Sequence, residues 1–255
     1  MLMEYFKDLE GQKVLVTGGS KGLGRDIAMR FAECGATVTI TGRNERDLSE
    51  TTEAIQELKM DCSYIVADMQ DVQSVYGMVD EAESRMKGID VLVNNAGVNI
   101  LQDAFDVNEE DWDKVLDTNL KGVFFCSQRT GKYMAGQGGG RVINIVSQMA
   151  FVGYIKRAAY SSSKGGAVQL TKALAIEWAD KNIKVNAVAP TFVKTALTEK
   201  FLEDEGFYRD VLSRIPLGKI AEPSDVSGAV LFLASDMANF ITGETIKVDG
   251  GWTAI

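Results

Sequence analysis

Short apolar runs, many of them β-branched, alternate along the chain with longer stretches in which apolar positions recur every three or four residues. The short runs lie at 13–17, 37–41, 63–67, 91–94, 141–147, 184–189 and 244–248. Each is mostly apolar on both alternating faces, the pattern of strands covered on two sides. Helical periodicity occupies 22–34, 45–59, 72–87, 111–134, 158–180 and 224–234. Alternation sustained this long predicts an α/β fold: a doubly wound parallel sheet of about seven strands, with right-handed crossovers placing helices on both faces. The glycine run at 136–140 is short enough to be a turn, and Pro223 between Glu222 and Ser224 marks a helix start. The segment 191–216 interrupts the alternation and is long for a plain connection, which predicts a lid over a site at a strand end. One domain spanning residues 1–255 is expected.

Composition narrows the chemistry. The chain has 255 residues, 45% of them hydrophobic and 25% charged, with a net charge of −9. An acidic chain without clustered Lys or Arg speaks against a nucleic-acid or anionic-membrane partner. There is no histidine, which removes Ser-His-Asp hydrolysis, imidazole proton shuttling and His-ligated metals. Acid/base work must fall to Tyr, Lys, Cys, Asp or Glu. Cys34, Cys62 and Cys126 stand 28 and 64 residues apart, spacings that fit neither a metal site nor a redox pair, so buried free thiols in a reducing compartment are expected. No metal site is predicted. The opening MLMEYFKDLE lacks the basic start and apolar run of a signal peptide, and no stretch approaches 18 uninterrupted apolar residues. A cytoplasmic protein is the expectation.

The first predicted strand runs into Thr17-Gly18-Gly19-Ser20-Lys21-Gly22-Leu23-Gly24 and then a helix. Glycines at 18, 22 and 24 let the backbone turn tightly and approach a pyrophosphate, which the helix N-terminus attracts through its N–H groups. Tyr160 and Lys164, four apart in a helical stretch, share one helix face. A phenol is a poor acid/base at neutral pH, but a neighbouring ammonium and an oxidised nicotinamide favour the phenolate. Ser147 ends the fifth predicted strand, where ligands of open α/β sheets bind.

These residues, with Asn94-Asn95-Ala96-Gly97 and Asn119 in Asp117-Thr118-Asn119-Leu120, resemble the motifs of the short-chain dehydrogenase/reductase family, in the same order over nearly the whole chain. The resemblance implies a Rossmann-type fold and a nicotinamide-dependent alcohol dehydrogenase or ketone reductase. It implies Tyr160 as general acid/base, Lys164 lowering its pKa and binding the nicotinamide ribose, Ser147 polarising the carbonyl and Asn119 holding a relay water. By the same resemblance Gly18, Ser20, Lys21, Gly22, Leu23, Gly24, Arg43, Asn44, Asp68, Met69, Asn95, Val193 and Thr195 line the cofactor. Pro190-Thr191 departs from the family's Pro-Gly; because a β-branched residue resists positive φ, a different backbone path into the lid is expected.

The second predicted strand ends Thr41-Gly42-Arg43-Asn44, with no carboxylate for a ribose 2′-hydroxyl. Arg43 and Lys21 are placed to hold a 2′-phosphate, so NADP(H) is preferred, with NAD(H) possible if Arg43 only stacks on adenine. The substrate should be enclosed by 148–157, the lid near 195–212 and the C-terminus. There Lys156, Arg157 and Lys194 offer positive charge for a small carboxylate. The stretches 214–218 and 248–254 are similar to the gluconate 5-dehydrogenase and 2-deoxygluconate 3-dehydrogenase branch, implying a sugar acid or polyol as the small hydroxy or keto substrate. A 3-oxoacyl-carrier-protein reductase is the main alternative, against which the uncharged 135–140 turn counts; a nucleotide-sensing protein without catalysis is a third, disfavoured by an intact Ser147, Tyr160 and Lys164. The resemblance also implies a homotetramer or dimer built through the helices at 111–134 and 158–180.

Overall fold

The computed structural model describes residues 5–195, 198 and 203–254. Seven strands, β1 (Lys13–Thr17), β2 (Thr37–Gly42), β3 (Cys62–Val66), β4 (Val91–Asn94), β5 (Gly140–Ile145), β6 (Ile183–Pro190) and β7 (Thr245–Val248), form one sheet in the order β3-β2-β1-β4-β5-β6-β7. Every pairing is parallel. The strand order reverses between β1 and β4, and this opens a crevice at the carboxyl ends of the strands.

Strand periodicity assigns side chains to the two faces. On β1, Val14 and Val16 pack with Ile27 and Phe31 of α1 (Gly22–Glu33), Leu48 and Ile55 of α2 (Glu45–Glu57), and Val230 and Leu231 of α8 (Pro223–Ala234). Leu15 points the other way, to Met78 and Val79 of α3 (Val72–Met86) and Cys126 and Met134 of α5 (Gly122–Gly136). Leu174 of α6 (Ala158–Glu177) joins the same layer. In-register pairing then lines up Leu15, Leu92, Val142 and Val185 as one fully buried row. Each such side chain stabilises the fold by about 1.5–3 kcal/mol relative to exposure. The three cysteines are free and buried, and burial pushes their thiols up to about 11 (Cys34, Cys62) and about 12 (Cys126). No described helix is long and apolar enough to cross a membrane.

Strands and helices fall within a few residues of the predicted spans, and Pro223 opens α8 inside a Glu222/Asp225 capping box. Two segments differ. The stretch 111–134 is not one helix: α4 (Glu109–Leu116) passes through a π-turn, Asp117–Lys121, before α5. Gly122 packs so closely on the loop after β3 that a Cβ there would lie 2.3 Å from the Met69 carbonyl oxygen. The extra residue of the turn also brings Asn119 inward, fully buried. Within the expected lid lies α7 (Glu205–Ser213), which the alternation did not predict; Asp204 caps it, accepting from the Phe207 N–H at 2.7 Å. Positions 196, 197 and 199–202 of that lid are outside the described residues.

Candidate active site

The loop after β1 is fixed by its neighbours. Asn95, just past β4, donates its amide to the carbonyls of Thr17 and Gly18 at 3.1 and 3.0 Å. The Thr17 hydroxyl accepts the N–H groups of Asn95 and Ala96, both at 3.1 Å. Gly18 has φ +67°, a conformation glycine adopts without strain. A Cβ on Gly24 would lie 2.1 Å from the Gly18 oxygen and 2.4 Å from Asn95 Nδ2, so α1 can approach the loop only through a glycine. Ser20 offers its carbonyl to the Thr51 hydroxyl at 2.8 Å, which ties the loop to α2. Leu23 packs into the core beneath. Lys21 stands at the N-cap of α1 but makes no capping bond with its side chain. The first-turn N–H groups therefore lack a side-chain acceptor and face the crevice end of the sheet, a geometry that suits a phosphate.

At the end of β2, Gly42 carries no carboxylate and Arg43 is exposed, without an ion pair among the described residues. Asn44 caps α2, its Oδ1 taking the Asp47 N–H at 3.3 Å. Lys21 is engaged by Asp47 at 2.8 Å, so its charge is already partnered in this state. Asp68 accepts from the Gln70 N–H at 3.0 Å, and Met69 is buried beside Gly122. Val193 bridges to Ala221, and the Thr195 methyl lies 3.3 Å from where a Gly22 Cβ would stand. The segment after β6 thus meets the glycine loop. At Pro190-Thr191 the backbone keeps out of the region a β-branched residue resists. Thr191 is not among the positive-φ residues; its N–H pairs with the Val248 carbonyl at 3.1 Å and its hydroxyl accepts from Gln148 at 3.2 Å.

Four candidate groups converge across β5 and α6. Ser147 lies two residues past β5 rather than within it, capping a 3₁₀ turn at Gln148–Ala150 through the Met149 N–H at 3.2 Å. Lys164 is buried and donates to the Ile145 carbonyl at 2.8 Å, with its ammonium 5.8 Å from the centre of the Tyr160 ring. Asn119 uses every polar atom of its side chain: Oδ1 accepts from Val98 N–H at 2.8 Å, while Nδ2 donates to the Val98 carbonyl at 2.9 Å and to Ser163 at 3.1 Å. Ser163 in turn donates to the Tyr160 carbonyl at 2.7 Å.

Lys164 is not among the groups that act on the Tyr160 phenol in this state. Burial pushes the Tyr160 phenol up, and what opposes it is the Ser147 hydroxyl and the charge of Arg157. Burial also pushes Lys164 down, to about 8. In both groups desolvation is the largest influence.

Several residues that matter here carry no recognisable spacing. Thr17 organises both loops, and Gly19 leaves room for Ile40, 2.6 Å from its would-be Cβ. Arg157 is buried against the rings of Tyr154 and Phe192, at 4.8 and 5.5 Å from their centres. Trp252 and Phe207 complete this aromatic cluster. The short stretches at 214–218 and 248–254 touch each other: a Cβ on Gly250 would lie 2.6 Å from Ile215, and Leu217 N–H donates to the Gly250 carbonyl at 3.1 Å.

The family model described as enoyl-(acyl carrier protein) reductase matches residues 18–253. The chain belongs to the short-chain dehydrogenase/reductase family. It is 40% identical, over 100% of both chains, to the 2-dehydro-3-deoxy-D-gluconate 5-dehydrogenase of Escherichia coli. It is also 40% identical, over 94% of this chain and 97% of that protein, to the 3-oxoacyl-[acyl-carrier-protein] reductase FabG of Staphylococcus aureus. A solved gluconate 5-dehydrogenase from Burkholderia cenocepacia, in complex with NADP and tartrate, superposes with a TM-score of 0.93 at 32% identity and 96% coverage of each chain. As a short-chain dehydrogenase/reductase, the chain is an NAD(P)-dependent alcohol dehydrogenase or ketone reductase.

Proposed function

We propose that this enzyme uses NADP(H) to interconvert a secondary alcohol and a ketone on a sugar acid or related polyol, such as gluconate and 5-ketogluconate. The observation that supports it most is the convergence of Ser147, Tyr160 and Lys164 at the crevice, beside a glycine loop shaped for a phosphate. Relatives of the whole chain act, by their names, on gluconate derivatives. Gly18 to Gly24 would hold the pyrophosphate, Asn95 the ribose side of the loop, Asp68 and Met69 the adenine, Val193 and Thr195 the nicotinamide end. Gly42 and Arg43 favour a 2′-phosphate, with Asn44 beside them. When bound, the nicotinamide supplies or accepts the hydride.

The chain's own residues handle the proton. Tyr160 gives its phenolic proton to the carbonyl oxygen in reduction and takes it from the alcohol in oxidation. Ser147 donates to the same oxygen. Lys164, braced by the Ile145 carbonyl, supplies positive charge on the proton path. Because the Asn119 amide is fully engaged, it positions the Val98 loop and α6, and a relay water would be held by main chain of the π-turn. A steady-state screen of NADPH oxidation decides the substrate class by setting keto-sugar acids and ketoses against short 3-oxoacyl thioesters. Preference for the thioester would favour the second reading, a 3-oxoacyl-carrier-protein reductase, which the FabG relative supports. Turnover of any ketone disposes of a purely nucleotide-sensing role. A homotetramer or dimer is also proposed: Trp112 on α4 and Ile176 on α6 leave apolar surface exposed on the helices expected to pair. Light scattering that returned the monomer mass of 27.8 kDa at micromolar concentration would refute it.

A further inference from the structure

We propose that Arg157 is the group that reads the substrate's carboxylate, so that the pocket selects small hydroxy and keto acids over uncharged ketones. This rests on the oxidoreductase reading above and names the residue that sets its substrate class. Three cations, Lys156, Arg157 and Lys194, are candidates for a substrate carboxylate, and their surroundings separate them. Lys156 and Lys194 are exposed, whereas Arg157 is only 7% exposed.

Three features converge on Arg157. Its guanidinium is buried against the rings of Tyr154 and Phe192, which meet edge to face beside it, yet its single protein hydrogen bond among the described residues runs from Nη1 to the Ile155 carbonyl at 3.1 Å. Asp210, the carboxylate of the cluster, is already engaged by Arg214 at 3.0 and 3.1 Å and by the Tyr154 hydroxyl at 2.6 Å. A buried cation without a counter-ion is destabilising. Arg157 is also the N-cap of α6, the end of a helix that repels cations and attracts anions. Finally, Lys156 immediately before it holds φ +58°, a conformation that costs a non-glycine residue of this size and persists where surroundings impose it.

One ligand relieves the first two features at once. A carboxylate on Arg157 would neutralise the buried charge and sit at the positive end of α6. With only Nη1 engaged, Nε and Nη2 make no protein hydrogen bond among the described residues and are left for two parallel N–H···O bonds, the arrangement in which Arg recognises a carboxylate. The position is also right for chemistry. Arg157 is one helical turn before Tyr160, and Phe192 follows the end of β6, where Thr191 binds Gln148 of the 3₁₀ turn that Ser147 caps. Selection by charge in this way does not require the lid to contact the substrate's hydroxyls.

The test compares kcat/KM for 5-ketogluconate and for an uncharged ketohexose in the wild type, Arg157→Met and Arg157→Lys, with NADPH affinity and Tm measured alongside. Loss of one or two charge-assisted bonds predicts a 10- to 100-fold fall for the acid in Arg157→Met, with the ketohexose changed less than about threefold. Arg157→Lys, which keeps the charge and stem but not the fork, should fall between, and stands in if Arg157→Met does not fold. Equal losses on both substrates, with or without an upward-shifted pH profile, would overturn the proposal, as would an unaffected acid. If the wild type reduces only 3-oxoacyl thioesters, the sugar-acid reading fails on its own. Gluconate is then titrated as a competitive inhibitor: a Ki at least tenfold higher in the variant upholds Arg157 as a carboxylate site, and an unchanged Ki rejects it.

Discussion

Cofactor selectivity should be reversible at the end of β2. A Cβ on Gly42 would meet Leu48 Cδ2 at 3.5 Å and Ser20 Oγ at 3.6 Å, ordinary contacts, and Gly42 does not have positive φ. Gly42→Asp therefore adds a carboxylate without straining the strand. That carboxylate can accept the 2′-hydroxyl of NADH and repels a 2′-phosphate. On the other side of the balance, Lys21 is paired with Asp47 at 2.8 Å and Asn44 caps α2. On the proposed reading, Arg43 would then be the principal grip on a 2′-phosphate. One or two charge-assisted bonds at about 1.5–3 kcal/mol each correspond to a preference on the order of tens- to hundreds-fold. Because Arg43 is exposed, the lower end of that range is expected, shrinking with added salt. Arg43→Ala should lower kcat/KM for NADPH about tenfold or more and leave NADH within a few-fold. Gly42→Asp should lower NADPH use further while raising NADH use. Asp47→Ala, by releasing Lys21, should tighten NADPH binding. The assay is kcat/KM for both cofactors at two fixed ionic strengths. Equal or better use of NADH by the wild type, or an equal loss of both cofactors in Arg43→Ala, would refute the reasoning.

Other outcomes follow from the site geometry. Tyr160→Phe should lower kcat by two or more orders of magnitude while the NADPH dissociation constant stays nearly unchanged; a variant keeping about a tenth of the activity would reject Tyr160 as acid/base. Gly24→Ala, whose Cβ would lie 2.1 Å from the Gly18 oxygen, should lose cofactor affinity and several degrees of Tm, whereas Gly77→Ala on α3, with open space around it, should be neutral or stabilising by up to about 1 kcal/mol. Thermal shift with and without NADPH separates the two. Burial pushes the Lys164 ammonium down to about 8 from its ordinary 10.5, so between those values the unfolded chain binds more protons at this group than the fold does. Its contribution therefore favours the fold increasingly as pH rises from about 8 to 10.5, and is least favourable below 8. Urea unfolding of the wild type should accordingly gain stability relative to Lys164→Met across that window. Parallel pH profiles would show that Lys164 is not held near 8.

Much of this was legible in the sequence because it depends on local rules. The period-2 burial of Val14, Leu15 and Val16 assigns both faces of β1, and Gly18 before α1 with Gly22 and Gly24 in its first turn forms the loop-to-helix junction a phosphate loop requires. Tyr160 and Lys164 share a face by helical spacing alone. What escaped depends on contacts between distant segments. The π-turn at 117–121 follows from the packing of Gly122 on Met69, 53 residues earlier in the chain, and nothing in the helical periodicity marks it. The short α7 gains its position from Asp210 bonding Tyr154 across the pocket. The hold on Thr191 is equally long-range: its N–H pairs with the carbonyl of Val248, 57 residues later in the chain. The pairing of Lys21 with Asp47 is likewise invisible until α1 and α2 are side by side.

The state of the half-buried Tyr160 and the buried Lys164 bears on the direction the site is prepared for. Burial raises the Tyr160 phenol and lowers the Lys164 ammonium, so desolvation favours the uncharged form of both. A protonated phenol is the form needed to donate to a carbonyl oxygen, and reduction can begin from it directly. Oxidation needs the phenolate, which must be brought within reach by positive charge. Among the described residues the influences that lower the Tyr160 pKa are Ser147 and Arg157. If a substrate carboxylate neutralises Arg157, that help is weakened while the acid is bound. Carboxylate recognition and phenolate formation therefore oppose each other at one guanidinium. The consequence is that oxidation of a hydroxy acid should require a higher pH than oxidation of an uncharged alcohol, whereas the two reductions should share one pH profile on the acid side.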